Sequence, residues 1–350
     1  MKVAVLLSGG VDSSVALKLL KNQGHELKAF YLKIWLEDEL SFLGSCPWEE
    51  DLKFVEEVCE TENIPLEIVS LQKEYFDQIV SYTIGEIKVG RTPNPDVLCN
   101  QRIKFGVFYD RFKGDFDKIA TGHYADIEEI DGKFYLKRNP DKVKDQTYFL
   151  SSLSQEQLSK VTFPIAQLLK KEVRVLAENF KLPNMNRKDS QGLCFLGKIK
   201  FREFIKSNLG IKKGDIIDID TGKKLGEHEG FYYYTIGQRH GLDLSGGPWF
   251  VVKKDTEKNI IYISNQEFIE DKAKDEFVVT NLNWIPEKPN KTNFLVKLRH
   301  GENFYNGTLE YLDKNKAKLK IDGKDTGAAP GQFAVFYDDK YCLGSGIISS

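Results

Sequence analysis

Three short polar segments of the chain combine residue types that are suited to group transfer. The first, SGGVDSS at residues 8–14, follows an apolar run at residues 3–7 and precedes residues with helical spacing. Adjacent glycines let the backbone curl so that successive N–H groups point into one hollow, which the serine hydroxyls and the positive end of a helix also face. The sequence therefore predicts a phosphate site between a strand and a helix at the start of the chain.

The composition of this loop indicates which kind of phosphate site it is. It lacks the lysine of the mononucleotide-binding P-loop, and its adjacent glycines do not match the dinucleotide fingerprint GxGxxG. It resembles the SGGxDS loop of the ATP pyrophosphatases, which split ATP between its α- and β-phosphates and transfer AMP to an oxygen. This resemblance implies that Asp12 helps to hold Mg²⁺ on the departing pyrophosphate.

The second segment delivers a cysteine in the sequence GRTPNPDVLCN at residues 90–100. Its two prolines argue against a regular helix or a central strand, so we expect a stiff, extended loop. A helix that opens directly after Cys99 would place the thiol at a positive helix end, near Arg102 and Lys104. Such surroundings lower a cysteine pKa from about 8.5 to about 3.5–7.5. We therefore predict that Cys99 is a nucleophile with a lowered pKa and that Asp96 takes or positions a proton.

The third segment, RKDSQGLCF at residues 187–195, is again a polar turn that carries a thiol, Cys194, beside two cations. Alone, this segment is weak evidence for a catalytic cysteine. It becomes stronger evidence because the chain also contains the Cys99 segment. The sequence assigns no role to the other three cysteines, Cys46, Cys59 and Cys342.

The elements that must position these segments alternate between strands and helices over the first half of the chain. Strand-like runs at residues 3–7, 27–32, 66–69 and 118–121 separate helical patterns at 13–22, 48–62 and 75–89. This alternation predicts an α/β fold with a doubly wound parallel sheet. Ligands of such sheets bind beyond the carboxyl ends of the strands, where residues 8–14, 31–33 and 121–124 fall. We therefore expect three strand ends to form one nucleotide site.

The second half of the chain is organised differently. Glycines punctuate short β-like pieces between about residues 200 and 252, which predicts a small connecting domain. Alternating runs at residues 260–264, 293–298, 317–321 and 333–336 predict a small antiparallel barrel or sandwich. We therefore divide the chain into a catalytic domain at 1–198, a connecting domain at 199–252 and a C-terminal barrel at 253–350.

The composition is that of a globular enzyme. Of the 350 residues, 41% are hydrophobic and 29% are charged, and the formal net charge of −2 gives no global basic field that would attract a polyanion such as DNA. No uncharged apolar stretch is long enough to span a bilayer, and the early first strand leaves no room for a targeting peptide. Five cysteines without a CxxC pair indicate reduced thiols. We therefore expect a cytoplasmic protein with neither a membrane nor a DNA partner.

Taken together, the motifs resemble those of the bacterial tRNA-specific 2-thiouridylases, the MnmA/TrmU family of the ATP pyrophosphatase (PP-loop) superfamily. The matching strings follow the family order along nearly the whole chain. They are SGGVDSS at residues 8–14, TPNPD at 92–96, TGHYA at 121–125, KDQ at 144–146, DSQGLCF at 189–195, GEHEG at 226–230, TIGQR at 235–239 and APGQ at 329–332. The resemblance implies an adenine nucleotide α-hydrolase-like first domain, a small connecting domain and a C-terminal antiparallel β-barrel.

The resemblance implies that ATP and Mg²⁺ serve to activate the wobble uridine of a tRNA. The C2 carbonyl of uridine is a poor electrophile, and transfer of AMP to its oxygen turns that oxygen into a leaving group. Cys194 would receive a persulfide from a sulfur-carrier protein, and Cys99 would be the partner nucleophile. Either the terminal sulfur attacks C2 directly, or Cys99 frees hydrosulfide by forming a transient disulfide with Cys194. The sequence leaves both routes open.

The resemblance also assigns binding residues in three groups. The adenylate would lie along the first strand and its loop, the second strand and the turn after a later strand, at Leu6, Leu7, Ser8, Gly9, Gly10, Val11, Asp12, Ser13, Leu32 and Gly122. The flipped target base would meet Asn94, Pro95 and Asp96. The anticodon loop and stem would contact Lys144, Asp145, Gln146, Arg299 and His300.

Other interpretations of these residues stay open. An amide-forming ATP pyrophosphatase, or a lysidine-type ligase acting on tRNA, would share the loop at residues 8–14 but would not require two thiols. A non-catalytic RNA-binding protein would account for the barrel and for the basic residues clustered at Lys198, Lys200, Arg202 and Lys206, but not for the phosphate loop.

Overall fold

The computed structural model describes residues 1–34, 48–189 and 201–349. Its first half contains seven strands, and five of them belong together: β1 (Lys2–Leu6), β2 (Glu26–Lys33), β3 (Leu66–Ser70), β4 (Lys118–Ala120) and β7 (Val161–Thr162). They form one parallel sheet in the order β3-β2-β1-β4-β7. The predicted doubly wound parallel sheet is therefore confirmed. Strand β7 was not predicted, because two residues are too few to show an alternating pattern.

Eight helical segments lie in the described part of the chain. They are α1 (Val11–Asn22), α2 (Trp48–Glu62), α3 (residues 72–88, π-helical over Phe76–Val80), α4 (residues 95–111, π-helical over Cys99–Val107), α5 (Thr147–Leu150), α6 (Gln155–Lys160), α7 (Lys170–Asn179) and α8 (Phe201–Leu209). Two short 3₁₀ turns follow at Phe231–Tyr233 and Gln266–Lys272. None of the helices in these ranges is long and apolar enough to cross a bilayer.

The side chains of β1 alternate between two apolar clusters, as expected for a strand that is covered on both faces. Ala4 and Leu6 belong to a cluster that includes Tyr75 of α3 and Cys99 of α4. Val3, Val5 and Leu7 belong to another, with Leu17 and Leu20 of α1 and Val55 and Val58 of α2. Because both faces are buried, the end of β1 and the loop after it are held in place from two sides.

A second, four-stranded sheet follows in the middle of the chain. It contains β8 (Gly214–Asp218), β9 (Lys224–His228), β10 (Trp249–Asp255) and β11 (Ile260–Asn265), in the order β10-β11-β8-β9. The prediction that the run at 260–264 belongs to the barrel is wrong, because β11 pairs with β8 and β10 instead. Alternation identifies a strand but not its partner. The proposed boundary at residue 252 falls inside β10.

The C-terminal part is a closed antiparallel barrel. Its strands are β12 (Lys274–Trp284), β13 (Asn293–Lys297), β14 (Tyr305–Asp313), β15 (Lys316–Asp325), β16 (Phe333–Tyr337) and β17 (Tyr341–Ile348). They follow the order β12-β15-β14-β13-β16-β17, and pairing of β12 with β17 closes the ring. The predicted barrel is therefore confirmed. Its interior is filled by buried side chains such as Phe277, Phe294 and Phe336.

One hairpin joins the first domain to the barrel. Strands β5 (Ala125–Ile130) and β6 (Lys133–Arg138) pair with each other, and β6 pairs with β17, with Leu136 opposite Cys342. The hairpin thus extends the barrel sheet, although it lies within the first domain by sequence. This link was not predicted, because more than 200 residues separate the two paired strands.

Candidate active site

The loop between β1 and α1 has the geometry that its sequence predicts. Gly9 adopts a positive φ of 75°, and α1 begins directly after Gly10. Within the loop, the Ser13 hydroxyl donates to the Gly10 carbonyl at 3.0 Å and accepts from the Ser8 N–H at 3.3 Å. The hydroxyl of Ser14 also donates to the Gly10 carbonyl, at 3.2 Å. The turn therefore presents its backbone at the positive end of a helix.

Neighbouring elements hold this loop closely. A Cβ atom at Gly122 would lie 2.6 Å from the Ser13 nitrogen and 2.7 Å from the Asp12 carbonyl carbon, so only glycine fits between β4 and α1. The Asn184 amide donates to the Gly9 carbonyl at 2.8 Å and to the Ser14 hydroxyl at 2.9 Å. Two of the three predicted strand ends, those of β1 and β4, therefore meet at this loop.

The remaining residues of the predicted nucleotide group belong to the same region. Leu6, Leu7 and Val11 are buried, and Leu32 of β2 packs partly buried against the same cluster as Leu6. Next to Gly122, the His123 ring accepts or donates a 2.7 Å hydrogen bond with the Thr121 hydroxyl. Burial lowers the pKa of His123 well below its ordinary value, so its ring is neutral and shapes the turn.

The Asp12 carboxylate has two partners that sequence analysis did not assign. Lys170, the first residue of α7, places Nζ 2.7 and 2.9 Å from its two oxygens, and the Tyr124 hydroxyl donates to it at 2.8 Å. Tyr124 lies in the TGHYA string, whereas Lys170 belongs to no motif. Lys170 also pairs with Asp189 at 2.8 Å, so one ammonium bridges two carboxylates.

Arg187 supplies a second cation at the loop. A Cβ atom added at Gly9 would lie only 2.7 Å from the Nη1 atom of this guanidinium group, and Nη2 pairs with Asp51. Nη1 is buried and has no hydrogen-bond partner among the residues that the structure describes. An unpaired guanidinium nitrogen beside a curled glycine backbone is suited to an anion, so the residues present fit a phosphate group.

The residues also fit a magnesium ion, provided that it comes with the phosphates. The described ranges contain no group of three or more His, Cys, Asp or Glu side chains that could hold a metal. Mg²⁺ in nucleotide sites needs only one or two carboxylates, because substrate phosphates and waters supply the other ligands. Asp12, at the first turn of α1, meets that requirement.

The predictions made for Cys99 are only partly right. Helix α4 begins at Pro95 rather than after Cys99, with the Asn94 side chain accepting from the Val97 N–H at 3.3 Å as N-cap. Proline is well suited to the first helical position, because its missing N–H would be unbonded there. Cys99 therefore lies one turn inside the helix and is 1% exposed. Burial raises its pKa to about 11, so the predicted lowering of the pKa is wrong.

Charges near Cys99 act in opposite directions. The positive charge of Lys104 and a hydrogen bond with Tyr75 lower the thiol pKa, and the negative charge of Asp96 raises it. These effects are smaller than that of burial. Lys104 also lowers the pKa of His123, and the ring of Phe105 on the same helix lies 6.2 Å from the His123 ring. Helix α4 therefore packs against the turn that holds Gly122.

The three residues at 144–146 have different surroundings. Lys144 is partly exposed and pairs with Asp189 at 2.8 Å. The Asp145 carboxylate is buried, where it accepts from the Thr147 hydroxyl at 2.7 Å and from Arg138 at 3.3 Å. The Gln146 side chain accepts from the Tyr124 N–H at 3.0 Å. Lys144 and Gln146 are thus partly exposed, and Asp145 is buried.

Arg299 and His300 of the barrel approach the first domain. The His300 ring stacks on Phe149 at 4.6 Å with an interplanar angle of 32°, and Asp96 is close enough to influence its charge. Burial lowers the pKa of His300, so the ring is neutral at neutral pH. Arg299 is 47% exposed and pairs with the buried Asp325 at 2.5 Å. The predicted base-binding residues Asn94 to Asp96 therefore lie near Arg299 and His300 of the barrel.

Two of the five cysteines cannot be placed. Cys194 and Cys46 lie outside the described residues. Asp189 is the last described residue before Cys194, and it connects three cations, Lys144, Lys170 and Arg174. Cys59 and Cys342 are buried free thiols, and burial raises the pKa of both. This fits packing roles for these two cysteines.

Family models match the chain in three consecutive parts. A tRNA methyl transferase HUP domain matches residues 1–198, a tRNA methyl transferase PRC-barrel domain matches 202–265, and an aminomethyltransferase beta-barrel domain matches 274–348. The middle match ends with β11, in agreement with the sheet to which that strand belongs.

Similar curated proteins are named tRNA-specific 2-thiouridylase MnmA. That of Parabacteroides distasonis is 46% identical and covers 99% of both chains. That of Porphyromonas gingivalis is 44% identical over 100% of this chain and 99% of its own. The MnmA 1 protein of Bacteroides thetaiotaomicron is 45% identical over 100% of each chain.

Proposed function

The chain belongs to the family of the tRNA-specific 2-thiouridylases, and we propose that it uses ATP to convert the wobble uridine of tRNA into 2-thiouridine. Similarity to three such proteins over nearly the full length carries this proposal. The fit of the β1–α1 loop to a phosphate group supports it, because thiolation of uridine requires an activated oxygen.

The first half-reaction is adenylation. The O2 oxygen of uridine attacks the α-phosphorus of ATP, and the bond between this phosphorus and the bridging oxygen breaks to release pyrophosphate. The adenylate lies along residues 6–13, with Leu32 and Gly122 beside it, and the loop amides face the phosphates. Mg²⁺ held by Asp12 and by phosphate oxygens would supply positive charge that stabilises the leaving pyrophosphate.

The second half-reaction replaces AMP by sulfur. A persulfide on Cys194, loaded by a sulfur-carrier protein, holds the sulfur to be transferred. In one route its terminal sulfur attacks C2, AMP leaves with the former O2, and Cys99 then attacks the Cys194 sulfur to release the thiocarbonyl. In the other, Cys99 attacks first and the hydrosulfide released then attacks C2. Both routes leave a Cys99–Cys194 disulfide, which an external thiol reduces before the next turnover.

Burial of Cys99 adds a condition to this scheme. A thiol with a pKa of about 11 is almost entirely protonated at neutral pH, and only the thiolate is a good nucleophile. We propose that docking of tRNA beside Asn94, Pro95 and Asp96 changes the surroundings of the thiol, and that Asp96 takes or positions its proton.

The tRNA surface is formed by both the first domain and the barrel. Lys144 and Arg299 are exposed enough to reach phosphates, and the His300–Phe149 stack offers an aromatic face to an unstacked base. The carboxylate of Asp145 is occupied inside the protein. Its contribution is therefore to hold its neighbours in place, and Gln146 holds the turn at Tyr124.

The test is a thiolation assay. Wild-type protein is incubated with tRNA, ATP, Mg²⁺ and a persulfide donor, and 2-thiouridine is measured by mass spectrometry of digested tRNA. We expect product from the wild type and none from Cys99→Ala or Cys194→Ala, whereas Cys59→Ala, a buried thiol outside the scheme, should retain activity. Turnover of ATP with unchanged tRNA under every donor condition would favour the amide-forming or lysidine-type alternative.

A further inference from the structure

Lys170 is placed at the phosphate loop but belongs to no motif. Its side chain is 16% exposed, and its Nζ lies within 2.9 Å of both Asp12 oxygens and 2.8 Å from Asp189. An ammonium group has three hydrogens to donate, and these contacts use all three. The Lys170 side chain is therefore held at the phosphate loop. It lies beside Asp12, the carboxylate that would hold Mg²⁺ together with the phosphates.

Asp189 is placed to keep Lys170 there. Burial raises the pKa of this carboxyl group, but hydrogen bonds from Lys144 and Lys170 outweigh burial and hold its pKa well below the usual range. It also pairs with Arg174, which lies one turn after Lys170 on α7. The Lys170 backbone N–H donates to Asp141 at 3.0 Å, which fixes the start of the helix as well. Lys170 thus has a second anchor that does not depend on Asp12.

We propose that Lys170 binds the β- and γ-phosphates of ATP by exchanging its bonds to Asp12 for bonds to phosphate oxygens. A divalent cation that occupies the Asp12 carboxylate removes it as a partner for Lys170, and a polyphosphate at the loop offers anionic oxygens in its place. Asp189 remains bonded and positions the ammonium toward the loop. Arg187 adds a second positive charge at this loop, because its Nη1 atom lies beside Gly9 and has no hydrogen-bond partner among the described residues. This inference rests on the proposed use of ATP.

The experiment measures ligand binding rather than turnover. Affinities for α,β-methylene ATP, for inorganic pyrophosphate and for AMP, each with Mg²⁺, are measured by calorimetry on the full-length protein. We expect Lys170→Met to weaken binding of the analogue and of pyrophosphate by about 10- to 100-fold, because it removes charge-assisted hydrogen bonds, and to change AMP affinity less than about twofold. Asp189→Asn should weaken binding of the analogue by several-fold, because Lys170 loses its second anchor.

Lys171→Met is the matched control, because Lys171 is exposed and follows Lys170 in the same helix turn. It should leave all three affinities unchanged. Equal binding of the analogue by wild type and Lys170→Met would overturn the inference while leaving the proposed function in place. An equal loss of AMP and analogue affinity would also overturn it, since Lys170 would then only support the loop. Failure of the wild type to bind the analogue at all would instead contradict the proposed use of ATP.

Discussion

The Cys99 thiol is held in a form that is a poor nucleophile. It lies one turn inside α4 within a cluster of buried side chains, and burial, the largest single influence, raises its pKa despite the opposing effects of Lys104 and Tyr75. A thiol kept neutral in this way is protected from oxidation and alkylation until its surroundings change. The same burial that stabilises the helix therefore limits when the residue can react.

Alkylation rates test this protection. At pH 7.5 a pKa of about 11 leaves on the order of 0.03% thiolate, compared with about 10% for an ordinary cysteine. We expect iodoacetamide to modify Cys99 in the free protein at least about tenfold more slowly than a model peptide, with each cysteine followed by peptide mass spectrometry. Adding tRNA and α,β-methylene ATP should change the Cys99 rate while the buried Cys59 stays slow. Modification of Cys99 at the peptide rate would contradict a buried, protonated thiol.

At the scale of elements, the nucleotide loop depends on how closely β4 approaches α1. Gly122 follows β4, and its backbone lies against the first turn of α1, so that turn is supported from outside as well as by its own hydrogen bonds. Asn184 adds a third support at Gly9. The loop is therefore built by three separate parts of the chain, and its glycines are needed for packing as well as for backbone freedom.

Gly122→Ala should damage this arrangement. The added methyl would lie 2.6 Å from a backbone nitrogen that cannot move without disturbing α1. We expect a loss of about 1–3 kcal/mol in stability and at least a tenfold loss of α,β-methylene ATP affinity, measured by thermal unfolding and calorimetry. Gly85→Ala is the matched control, because it lies exposed within α3 with nothing within 4 Å of its added Cβ, and it should raise stability slightly. Equal effects of the two substitutions would refute the packing argument.

These elements also show how far sequence reasoning reaches. The strands β1 to β4 and the loop at residues 8–14 were predictable, because apolar periodicity and glycine placement are local signals. The pairing of β11 with β8, the pairing of β6 with β17 and the bridging role of Lys170 were not, because each depends on residues far away in the chain. The start of α4 was missed for a different reason. Two prolines suggested an extended loop, whereas the second of them occupies the first position of a helix.

At the scale of the whole molecule, all three parts meet around Thr92, just before the predicted base loop. The Thr92 N–H donates to the Pro330 carbonyl at 2.7 Å, and a Cβ at Gly331 would touch the Thr92 backbone, so the barrel contacts this segment directly. From the middle part, Thr235 lies 3.5 Å from the Thr92 hydroxyl. The position of Asn94 to Asp96 therefore depends on the barrel and the middle sheet as well as on the first domain.

This arrangement predicts that a residue of the barrel affects tRNA binding without affecting nucleotide binding. Arg299→Gln removes a half-exposed cation near the His300–Phe149 stack, and we expect it to weaken tRNA binding several-fold. If Arg299 contacts one phosphate, the slope of log affinity against log salt concentration should fall by about 0.7–0.9. Filter binding across a salt series measures both quantities, and calorimetry with α,β-methylene ATP should show no change.

Lys314→Gln is the appropriate control, because the turn between β14 and β15 lies at the opposite end of β14 from the segment that carries Arg299. A nine-residue strand separates the two ends by roughly 30 Å, so Lys314 lies well away from the surface around Arg299 and His300. We expect this variant to bind tRNA with the salt slope of the wild type. Equal losses from both substitutions would mean that general charge, rather than a defined surface around His300, attracts the tRNA, and would contradict the shared binding surface proposed for the first domain and the barrel.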